Sequence, residues 1–178
     1  MIARKSALII FVQLLNGIIG FVGLKFIASY MEAWEYGVVG FAYGFVALFS
    51  IFGDLGFGTA HVKRISEGKD FGKCVSTFAT IKILLTGVLA ATTILSIAIW
   101  RYVFGRGFES PLHEQAVYIL LAYFVVSSLS QTFIATFSAK KEIAKVQIPW
   151  LLNTLIRVVI TIFVAYFGLG VLTLAYTY

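Results

Sequence analysis

Five apolar runs, each long enough to cross a bilayer, follow one another along the chain with only short polar stretches between them. They fall at Ala7–Tyr30, Gly37–Ala60, Cys74–Trp100, Gln115–Ser138 and Gln147–Phe167. A spanning helix needs about 20 predominantly apolar residues, or up to about 25 when tilted. A sixth run opens near Val171 and reaches Tyr178. At 1.5 Å per residue it covers only about 12 Å of helix. Nothing alternates in polarity over the roughly ten-residue segments of a barrel strand. The pattern predicts an all-α, polytopic transmembrane helix bundle with five full spans and the start of a sixth. Composition agrees. Only 12% of residues are charged and the mean hydropathy is +0.95, whereas a soluble domain is about a quarter charged. Lipid removes the need for a charged surface.

The first run follows directly on Arg4 and Lys5 and carries no small-residue cleavage site, so it reads as a retained span rather than a signal peptide. Basic residues set the expected orientation. With the N-terminus inside, the cytoplasmic segments hold Arg4, Lys5, Lys63, Arg64, Lys69, Lys73, Lys140, Lys141 and Lys145, and the external loops hold only Arg101 and Arg106. The positive-inside rule therefore predicts a cytoplasmic N-terminus. The net charge of +6 is explained by topology, so no nucleic-acid partner is expected. Cys74 is the only cysteine and has no internal disulfide partner. The short connections leave no space for an extramembrane catalytic domain.

Charges inside the apolar runs are the candidate functional residues, because each costs roughly 2.5–3.5 kcal/mol to insert. They are Lys25, Lys82 and Arg157 in the first, third and fifth spans, and Asp54 in the second. Arg157 lies near mid-membrane, where snorkelling reaches poorly. Asn153, Arg157 and Thr161 recur at i, i+4 and i+8 and share a helix face, which implies a wet cavity or a buried ion pair. Lys82 shares a face with Thr86 and Thr93. Lys25 sits near the outer end of its span, where snorkelling is easy. Asp54 is a candidate for ion coupling, for pairing with a loop cation or for capping a helix. Tyr123, Ser127, Ser130 and Gln131 lie on one side of the fourth span. Gly40 and Gly44, with Gly37, form a small-residue packing face. Three interior cations against one anion favour an anionic ligand, and a guanidinium suits phosphate through paired planar hydrogen bonds.

Several segments carry a family resemblance. The first span ends in Glu35-Tyr36-Gly37. The second ends in Phe49-Ser50-Ile51-Phe52-Gly53-Asp54-Leu55-Gly56, runs on through Thr59-Ala60 and closes with the basic stretch His61–Ile65. Pro149-Trp150-Leu151-Leu152-Asn153 opens the fifth span, and Gly168-Leu169-Gly170-Val171-Leu172 precedes the sixth. Over essentially its whole length the chain resembles the N-terminal portion of polysaccharide or O-antigen flippases of the multidrug/oligosaccharidyl-lipid/polysaccharide exporter superfamily. The resemblance implies a single transmembrane domain over residues 1–178, the N-terminal half-bundle of a longer transporter in the plasma membrane. It implies alternating access and translocation of a polyprenyl-(di)phosphate-linked oligosaccharide, with no cofactor, no metal and no enzymatic step. It further implies membrane lipids, a C-terminal half or second subunit, and polysaccharide polymerase or glycosyltransferases as partners. Arg157 and Lys82 carry over as phosphate-holding residues, with Lys25 and Asn153 beside them. Many relatives place a basic residue and a proline just before the E-Y-G-like motif. The matching positions here are Ser29 and Ala33, and Lys25 stands one turn before Ser29.

Other functions stay open on the sequence. A cation-coupled drug exporter of the same superfamily would want acidic cavity residues, of which Asp54 is the sole candidate. A membrane enzyme acting on polyprenyl-linked sugars would want a carboxylate pair. His61 and His113 are expected on opposite sides of the membrane and cannot share a metal. A scaffold half that pairs with another subunit is the third reading.

Overall fold

A computed structural model describes residues 2–178, with side chains from Lys5 onward, so Arg4 of the charge bias lies outside the described side chains. The chain runs as α1 (Ile2–Tyr30), α2 (Ala33–Phe49, prolonged by a 3-10 turn at Ser50–Gly53), α3 (Phe57–Ser66), α4 (Phe71–Ala98, prolonged by a π turn at Ile99–Val103), α5 (Pro111–Ala139), α6 (Ile143–Phe167) and α7 (Val171–Tyr176). No strand occurs among the described residues. α1, α2 with its turn, α4 with its turn, α5 and α6 are each long and apolar enough to span a membrane. Large apolar side chains such as Leu48, Leu84, Val126, Phe133 and Val159 are exposed along these helices. A soluble monomer seldom exposes contiguous apolar patches beyond a few hundred Å². The chain is therefore a multi-pass membrane protein whose outer surface is solvated by lipid.

Local chemistry sets the ends of the elements. Asp70 accepts a hydrogen bond from Lys73 N–H at 2.7 Å and caps α4. Pro111 occupies the first turn of α5, where its missing N–H costs nothing. The Glu35 carboxylate accepts from Glu32 N–H at 3.0 Å at the start of α2. Glu35-Tyr36-Gly37, expected at the end of the first span, thus forms the first turn of the second helix.

α5 is the centre of the packing and touches α2, α3, α4 and α7, while α1 packs chiefly on α6. The core joins Val39, Ala42 and Val46 of α2 to Leu89 of α4, Val117 and Leu120 of α5, and Leu174 of α7. Lys5 Nζ donates to Lys141 O at 2.8 Å, and Lys140 lies 3.9 Å over the Phe71 ring. These contacts tie the basic connections into one end of the bundle. At the opposite end Phe41 meets Phe108 and His113, and Arg101 pairs with Glu114 at 3.2 Å.

Two expectations need correcting. The second apolar run, Gly37–Ala60, is not one helix. It breaks at Asp54–Gly56, and the residues beyond form α3, a ten-residue helix too short to span. The Gly37, Gly40 and Gly44 face packs against nothing among the described residues, since a Cβ built at each would meet open space. The core of α2 lies on its opposite side, at Val38, Val39, Ala42 and Val46.

Candidate functional site

The break after α2 creates the first polar centre. The helix tightens into the 3-10 turn, and the chain then reverses through Leu55 (φ 48°) and Gly56 (φ 83°). Glycine reaches that left-handed conformation without a Cβ penalty. The reversal leaves the Gly53 carbonyl outside the helical ladder, and Lys82 reaches across from α4 to use it. Lys82 Nζ donates to Gly53 O at 2.6 Å and to Asp54 Oδ1 at 3.2 Å. Asp54 Oδ1 also accepts from Gly58 N–H at 3.2 Å, in the first turn of α3. One ammonium therefore holds the end of α2, and the carboxylate beside it holds the start of α3. Lys82, Thr86 and Thr93 all point inward, as their shared face predicts. Thr86 bonds Ser128 of α5 at 2.9 Å, and Ser128 also approaches Gly53 O at 3.4 Å.

Gly53 has no room for a side chain. A Cβ there would lie 3.0 Å from Leu89 Cδ1 and 3.3 Å from Ser128 Oγ. Gly53→Ala is accordingly expected to destabilise the protein by roughly 1–3 kcal/mol, the usual cost of overpacking. A lowered unfolding midpoint in lipid nanodiscs checks this.

Around this centre an open pocket of about 610 Å³ lies between the α2 turn, α3, α4 and α5. Ser50, Asp54, Thr59, Lys82, Ser127 and Gln131 contribute to its polar lining, and Phe78 and Phe124 give it aromatic surface.

A histidine fixes α3 over this pocket. His61 is buried, stacks on Phe78 with ring centroids 4.3 Å apart, and meets Thr136 Oγ1 through Nε2 at 3.0 Å. Thr136 Oγ1 also donates to Thr132 O at 2.7 Å. Burial pushes the His61 pKa below its ordinary value, against a smaller opposing pull from the Cys74 main chain. A histidine whose folded pKa is lowered contributes stability that is complete above the unfolded pKa of about 6.5 and lost as pH falls through the folded value. Protection factors for hydrogen exchange in α3, taken relative to the intrinsic rate at each pH, should therefore fall between about pH 7.5 and 5.5, and His61→Gln should remove that dependence.

Arg157 lies elsewhere, half-buried on α6. Its guanidinium carbon sits 5.0 Å over the Tyr178 ring, and no carboxylate pairs with it among the described residues. It lines a smaller pocket of about 100 Å³ with Gly20, Gly23, Tyr36, Thr161 and Tyr178. Thr161 is buried and bonds Thr177 at 3.2 Å, while Asn153 is exposed. Lys25 is exposed too, and its main-chain carbonyl accepts from Ser29 Oγ at 2.9 Å. The structure thus brings Lys82 and Asp54 together, puts Arg157 in a second pocket, and leaves Lys25 and Asn153 outside both.

From residue 2 to residue 178 the chain matches the family described as polysaccharide biosynthesis protein. The chain belongs to that family. No curated protein and no solved structure matches it.

In this polysaccharide biosynthesis protein, sequence reasoning passed over Ser128 and the His61–Thr136 contact. Ser128 was visible in principle. It shares a face with Val117 and Leu121 of α5, both buried, so a polar residue there needs a partner. The His61–Thr136 contact joins helices 75 residues apart, and no local signal marks it.

Proposed function

We propose that the protein is a flippase. It translocates an oligosaccharide linked through (di)phosphate to a polyprenyl lipid across the plasma membrane, with the basic end of the bundle facing the cytoplasm. The observation that carries this reading is Arg157. Its guanidinium lies within a span and stacks on an aromatic ring, and among the described residues no carboxylate takes its hydrogen-bond donors. A guanidinium presents a planar fork that matches phosphate, and a cation held in a spanning helix normally marks a substrate path. Lys82 by contrast already serves the Gly53 carbonyl and Asp54. We therefore assign the phosphate to Arg157 and a positioning role to Lys82. Asp54 is bonded to Lys82 and to the start of α3, which argues against free cation coupling at that carboxylate.

The test is complementation of a cell that lacks its own polysaccharide flippase. The intact wild-type protein should restore surface polysaccharide, and Arg157→Ala at equal membrane abundance should not. Equal rescue by both would remove the phosphate role from Arg157. No rescue by the wild type would favour the drug-exporter or scaffold readings.

A further inference from the structure

The larger pocket has a charge balance that the smaller one lacks. Of the groups lining it, only Lys82 and Asp54 ionise, and they face each other at 3.2 Å. The pair leaves no net charge to attract a phosphate and no carboxylate excess to hold a metal cation. What remains is a dense set of neutral hydrogen-bonding groups: Ser50, Thr59, Ser127, Gln131 and Ser138. Asp54 adds an acceptor, because both of its bonds are made through Oδ1 and none reaches Oδ2 among the described residues. Its side chain is 47% exposed. A volume of about 610 Å³ falls within the range of small-molecule sites, about 300–1,000 Å³.

Aromatic rings connect this pocket to Arg157. Phe124 lines the pocket and lies 5.2 Å from Tyr43, Tyr43 lies 5.6 Å from Tyr178, and Arg157 sits over Tyr178. Tyr123 touches both Phe124 and Tyr178 and closes the same path from α5. A sugar ring has an apolar C–H face and an equatorial belt of hydroxyls. Aromatic rings suit the face, and neutral donors and acceptors suit the belt.

We propose that the pocket around Lys82 and Asp54 is a carbohydrate subsite. It takes a sugar of the lipid-linked cargo while Arg157 holds the phosphate, and the ring path from Phe124 through Tyr43 to Tyr178 joins the two. The proposal rests on the flippase reading and adds the residues that read the sugar. Asp54 Oδ2 and the Gln131 amide accept from or donate to the sugar hydroxyls. Lys82 orients Asp54 without itself contacting the cargo.

The test compares two probes on the intact protein in phosphatidylcholine nanodiscs prepared without sugar detergents. One probe is farnesyl diphosphate, and the other is farnesyl diphosphate bearing one N-acetylglucosamine. The wild type should bind the sugar-bearing probe more tightly. Gln131→Leu, and separately Ser127→Ala, should weaken the sugar-bearing probe, by about tenfold for Gln131→Leu, through lost hydrogen bonds. Both variants should leave the bare diphosphate unchanged, and Arg157→Ala should weaken both probes. Equal weakening of both probes by Gln131→Leu would make the pocket a phosphate site and overturn the proposal. Unchanged binding of both would overturn it as well, with the flippase reading intact. Free N-acetylglucosamine competing as well as the lipid-linked probe would reassign the pocket to a soluble sugar. Binding of neither probe to the wild type would overturn the flippase reading and the subsite with it.

Discussion

Lys82→Met should lower the stability of the bundle by about 2 kcal/mol. The Lys82 side chain is 3% exposed, and its ammonium serves two acceptors on another segment. Methionine fills much the same volume but donates nothing. The Gly53 carbonyl then keeps only the long 3.4 Å approach of Ser128, and Asp54 loses its counter-charge. Breaking a fully buried pair costs roughly 3–5 kcal/mol. The smaller figure applies because Asp54 is about half exposed and can take up water. Asp54→Asn in the Lys82→Met background should recover part of the loss, since the uncompensated charge disappears while a side-chain oxygen remains for Gly58 N–H. A double-mutant cycle on unfolding midpoints isolates the pair term. An unchanged midpoint in Lys82→Met would show that the α2–α3 elbow holds without the ammonium.

The second large effect is functional. Arg157→Ala should reduce transport of a lipid-linked sugar by about 10–100-fold, the loss that follows when one or two charge-assisted hydrogen bonds to phosphate disappear. Arg157→Lys should fall between, because it keeps the charge and loses the planar fork. Neither change should unfold the protein. Arg157 is half-buried and pairs with no carboxylate among the described residues, so its removal strands no buried charge. The stacking on Tyr178 is worth about 0.5–2 kcal/mol and would be lost with alanine.

The spans were legible because a bilayer admits little besides long apolar helices, and hydropathy alone finds them. The inward face of α4 was also legible, since Lys82, Thr86 and Thr93 follow the helical repeat and all three are buried. The end of α2 was harder. Apolar residues continue past it through Leu55 and Phe57, and hydropathy does not register the break. The turn composition of Gly53-Asp54-Leu55-Gly56 was the available signal. Which intramembrane charges meet could not be read at all. Lys82 finds Asp54 across 28 residues, and Arg157 finds a tyrosine ring rather than an acid, because both outcomes depend on how α2, α4, α6 and α7 pack. The same packing separates Arg157 from Lys82, which charge counting had pooled into one cavity.

Direct transfer is the decisive measurement. The intact protein is reconstituted into vesicles with a fluorescent polyprenyl-diphosphate-linked sugar, and the appearance of the sugar in the opposite leaflet is followed. Transfer well above that of empty vesicles is expected with the wild type, little with Arg157→Ala and an intermediate rate with Arg157→Lys. Transfer by Arg157→Ala at the wild-type rate, with equal protein incorporated, would contradict the phosphate role of Arg157.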